Sequence, residues 1–436
     1  MKLAVIGAGS SYTPELIDGL FARLDAIPIS EIWMMDPDAD RLAVTSALAQ
    51  RMNRRHGNPF SLHATHDLRE AIRDAKYVVT QLRVGGMQAR IADEKLGIRH
   101  GIIGQETTGV GGFACALRTI PAVLDIARAM EQFAPAAVLV NFTNPSGIIT
   151  EALIRHSAIT AVGLCNIPIG YVMDFAKHFD CNIDDIVLDY VGLNHLSWIR
   201  GVQIKGKDAT QKAIDAFLAN IDEEWTNPAI RDHMRIAIEQ TGAICNGYLQ
   251  YFYATDAALT RQRSQDKTRG EEVLELEQAL FEKYRSETLD KKPEELSKRG
   301  GAHYSTAAFN LIDAIENDRN NRQVVCCRNG GAIPSFEADA SIEATARIDK
   351  DGATALPQTL PPPEIHGLMH LMKAYETLTV QAAVSGDRRA AFQAMLLHPL
   401  MPGAVQCGRL LQELLEINKP YLNPDFFQTK SPTIEE

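Results

Sequence analysis

The first fifteen residues constrain the fold of this chain more than any other stretch. Lys2-Leu-Ala-Val-Ile-Gly7 reads as a buried β-strand that runs into Gly7-Ala8-Gly9-Ser10-Ser11, and a helix opens at Thr13-Pro14-Glu15. Gly7 suits the tight turn out of the strand, Gly9 lets backbone approach a pyrophosphate, and the partly positive helix start faces the phosphates. Pro14 fits the first helical turn, where its missing N–H has no intrahelical partner to lose. Tyr12 stands where the usual third glycine would be, so the glycine pair depends on its context. A second apolar strand, Glu31 to Asp36, supplies that context: its terminal acid lies about 20 residues beyond the glycines, where a ribose-binding carboxylate is expected. An acid there favours NAD over NADP, with Gly7, Gly9, Ser10, Ser11 and Asp36 as the expected contacts.

Further strands are expected near Ser61–Thr65, at Lys76–Leu82, at Ala137–Asn141 and at Thr160–Cys165, alternating with helices that include Ala116–Gln132 and one from Ser146. That alternation predicts an α/β fold with a Rossmann-like parallel sheet, of lactate/malate dehydrogenase-like architecture. Asp189–Arg200 and Gly201–Gly206 read as antiparallel strand. The remainder reads as mainly helical, with helices at 270–286, 364–384 and 387–418 and a loop at 349–363. The expected division is a dinucleotide-binding unit at 1–200 and a mainly helical α+β substrate, metal and oligomerisation unit at 201–436.

A formal net charge of −11 argues against a nucleic-acid surface. The first strand begins at Lys2 and no run of about 18 apolar residues is evident, which leads to an expectation of a cytoplasmic protein. Seven cysteines without paired spacing fit reduced thiols.

Ligands of open α/β sheets bind at the carboxyl ends of the strands. Arg83 and Arg90 follow one strand end, Asn141-Phe-Thr-Asn144-Pro145 another, and Cys165-Asn166-Ile-Pro168 a third, while Asn194-His195 opens the second half. Gly104–Gly112 reads as a glycine-rich loop able to fold closely over a ligand. Cys165 and His195 together would suit a divalent transition metal with open positions for substrate oxygens. On spacing alone, a small buried apolar cysteine and an ordinary core or surface histidine are the favoured readings over a metal pair.

Gly7-x-Gly-Ser-Ser-Tyr-Thr-Pro14, Gly104-Gln-Glu-Thr-Thr-Gly109, Asn141-Phe-Thr-Asn-Pro145, Cys165-Asn-Ile-Pro168 and Gly192-Leu-Asn-His195 together resemble glycoside hydrolase family four, in particular its 6-phospho-β-glucosidases. The match continues past Arg299-Gly-Gly301 and Ser305–Ala308. The resemblance implies a hydrolase of carbohydrate metabolism that uses NAD and a divalent metal, usually manganese. Its handling of the sugar departs from the two-carboxylate scheme: carbon 3 is oxidised, a proton leaves carbon 2, the aglycone is eliminated, water adds and carbon 3 is reduced again. It implies Cys165 and His195 as metal ligands, Asn141 as a cofactor contact, and a tyrosine base in Tyr248-Leu-Gln-Tyr251, with Tyr248 preferred and Tyr251 the rival. Both tyrosines also suit simple packing on a helix. Arg90, Asn144, Asn166 and Arg269 are implied as substrate contacts. Relatives acting on α-glycosides carry Asp where this chain has Asn166; an amide is no general acid, which favours β-linked glucose 6-phosphate compounds such as cellobiose 6-phosphate or aryl glucosides. Homodimers or homotetramers are implied. The competing expectation is an NAD-dependent 2-hydroxy acid dehydrogenase of the lactate/malate type, which needs no metal.

Overall fold

The computed structural model describes residues 1–300 and 303–428. Gly301, part of the Arg299-Gly-Gly301 match, and the C-terminal residues 429–436 lie outside the described residues.

Strands β1 (Lys2–Ile6), β2 (Glu31–Met35), β3 (Ser61–Thr65), β4 (Tyr77–Thr80), β5 (Val138–Asn141) and β6 (Thr160–Gly163) pair in parallel in the order β3-β2-β1-β4-β5-β6. This is the dinucleotide-fold order, with the crevice opening where the order reverses between β1 and β4. All five residues of β1 are buried, as a central strand covered by helices on both faces requires. The connecting helices are α1 (Thr13–Phe21), α2 (Ala39–Arg55), α3 (Leu68–Ile72), α4 (Gly86–Arg99), α5 (Gly109–Phe133), α6 (Ser146–His156) and α7 (Asn166–His178).

The sheet does not end at β6. After the antiparallel hairpin β7 (Ile186–Leu193) and β8 (Leu196–Ile204), with the short β9 (Lys207–Asp208) and β10 (Ile244–Cys245) beside it, the chain returns to the first sheet. Strands β11 (Asn321–Arg328), β12 (Ser341–Asp349) and β13 (Gly352–Ala355) extend it antiparallel from β6 to a nine-stranded whole. The second half is therefore less uniformly helical than its sequence suggested. In Val324-Val325-Cys326-Cys327, apolar and small residues buried on both faces lack the alternation that marks a half-exposed strand. The expected 349–363 loop likewise contains β13, and the expected helix at 387–418 divides into Arg388–Leu397 and Ala404–Asn418 around Pro399 and Pro402.

Helix α5 starts seven residues before its expected position, at Gly109 rather than Ala116. Its first glycines are helical and not part of a free loop. A Cβ on Gly111 would lie 2.1 Å from the Gln105 carbonyl oxygen, so glycine there lets the 104–108 segment lie directly on the helix. Contrary to the expectation of no such run, α5 is long and apolar enough to cross a membrane, the single such helix among the described residues. Its most apolar window is 83% buried, so here it is a core helix between the sheet and its neighbours.

Candidate active site

The turn after β1 is shaped by its two glycines. Gly7 has φ +87°, and a Cβ there would sit 2.8 Å from the Leu82 nitrogen. The Gly7 and Ala8 N–H groups both donate to the Met35 carbonyl at 2.9 Å, tying the turn to the end of β2. Gly9 donates its N–H to Asp36 Oδ2 at 2.8 Å, and Arg41 Nε donates to the Gly9 carbonyl at 2.9 Å. A Cβ on Gly9 would stand 2.8 Å from the same Asp36 oxygen, so the acid at the β2 end and the glycine turn fit only without a side chain. Burial raises the Asp36 pKa, opposed by N–H donors from Asp38 and Gly9. Ser10 Oγ accepts from the Tyr12 N–H at 3.2 Å. Ser11 Oγ donates to Glu277 Oε1 at 3.0 Å, and Arg299 holds the same carboxylate at 2.7 Å. This bare-backbone cradle at a helix start, with a carboxylate at the next strand end, fits a dinucleotide. Asn141 lies beneath it with its side chain already engaged: Oδ1 accepts from Thr80 Oγ1 at 2.8 Å and from the Thr143 N–H at 3.0 Å.

A second group gathers at the end of β6. Cys165 precedes the first turn of α7, and the N–H groups of Asn166 and Ile167 face its sulfur. His195 sits in the tight turn between β7 and β8 at φ +64°, a left-handed conformation uncommon for a residue with a Cβ. The turn brings His195 Nε2 to 3.6 Å from Cys165 Sγ, while Nδ1 meets Thr107 Oγ1 at 3.0 Å. Burial lowers the His195 pKa to about 4, against a smaller upward pull from Glu106, so the ring is neutral at pH 7 and has a lone pair to offer. Burial and the Glu343 carboxylate push the Cys165 thiol up to about 12. A soft sulfur and a neutral imidazole on adjoining turns suit a divalent cation, whose binding would displace the thiol proton. Among the described residues no larger His/Cys/Asp/Glu cage exists, so the pair would leave most coordination positions to other oxygens.

Tyr248 covers this pair, its ring stacked on the His195 imidazole with centroids 3.9 Å apart. Tyr251 is set back, 6.1 Å from Tyr248 between centroids. Burial first, then the Glu106 charge, raises the Tyr248 pKa, with Arg90 opposing.

The arginines after β4 form the third group. Arg83 Nη1 lies 2.5 Å from Glu106 Oε2, and Arg90 Nη1 lies 3.1 Å from Glu106 Oε1. Arg90 Nε also donates to Glu94 at 2.8 Å. Burial works to raise the Glu106 pKa, but Arg83 and Arg90 outweigh it and hold the carboxyl at about 2. Asn144 is half-buried in the turn preceding α6, its carbonyl accepting from Cys115 Sγ at 3.5 Å. Asn166 is half-buried as the first residue of α7. Arg269 stands apart from these residues. It opens the helix Arg269–Tyr284, half-exposed, bonded to Glu272 at 2.9 Å and to the Lys298 carbonyl at 3.4 Å.

The structure thus brings together Cys165, His195, Tyr248, Arg90 and Asn166 around the strand ends, beside the cradle built by Gly7, Gly9, Ser10, Ser11 and Asp36. Thr107, Glu277 and Glu343 also serve these groups, and sequence reasoning did not single them out. Thr107 lies inside a motif already noted; Glu277 and Glu343 come from a helix and a strand with no local signature of a site.

A model of family 4 glycosyl hydrolases matches residues 2–181, and a model of the family 4 glycosyl hydrolase C-terminal domain matches residues 190–401. A probable 6-phospho-β-glucosidase of Bacillus subtilis is 39% identical over 98% of both chains. The structure of the 6-phospho-β-glucosidase of Thermotoga maritima with manganese, NAD+ and glucose-6-phosphate superposes with a TM-score of 0.89. It is 35% identical and covers 97% of this chain and 99% of its own. Malate dehydrogenase of Plasmodium falciparum shares the fold, with a TM-score of 0.52 at 12% identity over 88% of this chain and 98% of its own. By these matches over both halves, the chain belongs to glycosyl hydrolase family 4.

Proposed function

We propose that the chain is a 6-phospho-β-glucosidase that hydrolyses β-linked glucoside 6-phosphates, such as cellobiose 6-phosphate or aryl glucosides, with NAD and a divalent metal, manganese foremost. The observation that carries this reading is the meeting of Cys165 Sγ and His195 Nε2 at 3.6 Å beneath the Tyr248 ring, at the carboxyl ends of the strands. The likeness to the Thermotoga maritima enzyme, solved with manganese, NAD+ and glucose-6-phosphate, supports it.

The cradle of Gly7, Gly9, Ser10 and Ser11 would hold the pyrophosphate, with Asp36 at the ribose and Asn141 shaping the adjoining turn. Cys165 and His195 would hold the metal. When bound, NAD supplies reversible hydride transfer at carbon 3 of the sugar, and the metal supplies Lewis-acid polarisation of the neighbouring oxygens. With the burial and Glu106 charge that raise its pKa offset by a metal cation beside it, Tyr248 as phenolate would take the proton from carbon 2 at its Oη. Loss of that proton allows the aglycone to leave carbon 1, after which water adds there. Arg90 with Arg83 provides charged forks for the phosphate, and Asn144 an amide donor beside them. Asn166 lines the Cys165 end as a neutral amide, consistent with β-linked substrates. Arg269 joins this set only as the outermost candidate, because its present bonds are to Glu272 and Lys298. The two sequence halves would form the cofactor and substrate units of a cytoplasmic homodimer or homotetramer.

The test is release of p-nitrophenol from its β-glucoside 6-phosphate, with NAD and Mn2+ added or withheld, beside the unphosphorylated and α-linked compounds. Cleavage confined to the phosphorylated β-compound, dependent on both additions and without net NADH, is the expected result. NADH formed in proportion to product from a hydroxy acid, with no cleavage, would replace this reading with the dehydrogenase.

A further inference from the structure

Glu343, on the strand β12 that extends the sheet beyond β6, is 1% exposed and accepts from several donors. Its Oε1 takes the Asn194 amide at 2.9 Å and the Cys326 thiol at 3.7 Å. Its Oε2 takes the Tyr190 hydroxyl at 3.0 Å and the Ser197 hydroxyl at 3.2 Å. A carboxylate is acceptor-only and offers about four lone-pair directions, so this set uses most of what it has.

These bonds lead to each part of the Cys165 group. Asn194 immediately precedes His195, and its side chain also reaches toward the Cys165 sulfur. Tyr190 and Ser197 share a third partner: Asn246 Nδ2 donates to the Tyr190 hydroxyl at 3.3 Å and to Ser197 Oγ at 3.1 Å. Asn246 Oδ1 in turn accepts the Tyr248 N–H at 3.0 Å. The sheet supplies the third connection. Glu343 is in register with Cys326 of β11, and Cys326 with Gly163 of β6, two residues before Cys165. One buried carboxylate therefore bonds to the turn bearing His195 and to the network that holds the Tyr248 backbone, and sits in the same ladder row as Gly163, the last residue of β6, two residues before Cys165.

We propose that Glu343 is a positioning residue that holds His195, through Asn194, and Tyr248, through Tyr190, Ser197 and Asn246, in one fixed frame against Cys165. This rests on the function proposed above. Partners that orient metal ligands are typically worth 10–100-fold in metal affinity or activity. A network serving only core stability would not distribute its effects between metal and base, and that distinction is measurable through its two arms.

The experiment uses the full chain with NAD, titrating Mn2+ calorimetrically and following p-nitrophenyl β-glucoside 6-phosphate turnover. Wild type that neither binds Mn2+ nor cleaves the compound would defeat the proposed function itself. With wild type active, Glu343→Gln replaces one acceptor oxygen with an NH2 group facing the donors. It is expected to weaken Mn2+ binding about 10- to 100-fold and lower kcat at least as much, with KM changed far less. Asn194→Ala cuts the arm to His195, together with the Asn194 side chain's reach to Cys165, and should weaken Mn2+ binding; Asn246→Ala cuts the Tyr248 arm and should lower kcat with Mn2+ affinity retained. Should Glu343→Gln fail to fold, the two single-arm variants decide the matter. Wild-type metal affinity and kcat in a folded Glu343→Gln, or identical profiles for the two single-arm variants, would overturn the role.

Discussion

The His195 imidazole lies flat on the Tyr248 phenol, ring planes 5° apart at a centroid separation of 3.9 Å. The stack places a candidate metal ligand and a candidate base in contact through their ring faces, so the two roles are separable by chemistry. Tyr248→Phe keeps the ring and its stack but removes the hydroxyl. It is expected to bind Mn2+ and NAD as wild type does while losing about 10²- to 10⁴-fold in kcat, the usual range for a general base. Tyr251→Phe should lose much less. Exchange of the carbon 2 hydrogen with deuterated solvent checks the assignment: it should cease in Tyr248→Phe and persist in Tyr251→Phe. The reverse pattern would transfer the base to Tyr251.

The cradle gives a prediction about cofactor binding that does not depend on turnover. In Gly9→Ala the new methyl would meet Asp36 Oδ2 at 2.8 Å and Arg41 Cβ at 2.9 Å. Asp36 must then give way, losing the Gly9 N–H and its set at the end of β2. NAD affinity, measured by calorimetry or by the rise in Tm on adding NAD, should fall at least about tenfold, equivalent to about 1.4 kcal/mol. The protein itself should remain folded, because Asp36 and Arg41 are partly solvent-facing. Unchanged NAD affinity would show that the Gly9 turn is not where the cofactor lies.

Much of this site was legible in the sequence because its residues sit in short local signals. Gly7, Gly9 and Asp36 follow from strand, turn and strand-end spacing, and Cys165 and His195 each fall where a strand finishes. Their 3.6 Å approach was not legible, since it depends on how the β7–β8 hairpin packs against the extended sheet at β12 and β11. Glu343 and Glu277 were invisible for the same reason: each is an isolated acid in an ordinary strand or helix until tertiary structure brings it to Asn194 or Ser11. The antiparallel extension escaped because β12 and the centre of β11 are buried on both faces and carry no alternation, and β13 is only four residues long. Arg269 was legible only as a cation near a motif, and its position relative to the other candidates was not. Its side chain bonds to Glu272 on its own helix, a placement that sequence proximity to a motif does not give.

Asn166 gives a prediction about anomeric preference. It begins α7, where the unpaired N–H groups of a helix start favour a negative charge. Asn166→Asp should therefore fold as well as wild type. The new carboxyl adds a group able to donate a proton to a leaving oxygen. Turnover of the α-linked p-nitrophenyl glucoside 6-phosphate should rise above the wild-type background, with the β-compound still cleaved. The ratio of kcat/KM for the two anomers is the measurement, and an unchanged ratio would remove Asn166 from the specificity argument.

Glu106 gives the prediction with a defined pH window. Burial alone would raise its pKa, but Arg83 and Arg90 lower it to about 2 from an ordinary 4.5. Between those values the unfolded chain binds a proton at this position and the folded chain does not. Folded stability from the group is thus complete above about pH 4.5 and is lost as pH falls toward 2. A shift of this size corresponds to about 3 kcal/mol. Glu106→Gln cannot titrate and leaves Arg83 and Arg90 without their shared carboxylate, so at pH 7 it should be less stable than wild type by about that amount. On acidification the wild type should lose its advantage, and the two stabilities should converge. Urea unfolding of both proteins at several pH values across this window provides the check, because other carboxylates titrate alike in each and cancel in the difference. A gap between them that stays constant through the window would mean that the two guanidiniums do not hold the Glu106 charge, and that the arginines are free to meet a phosphate without giving up an internal partner.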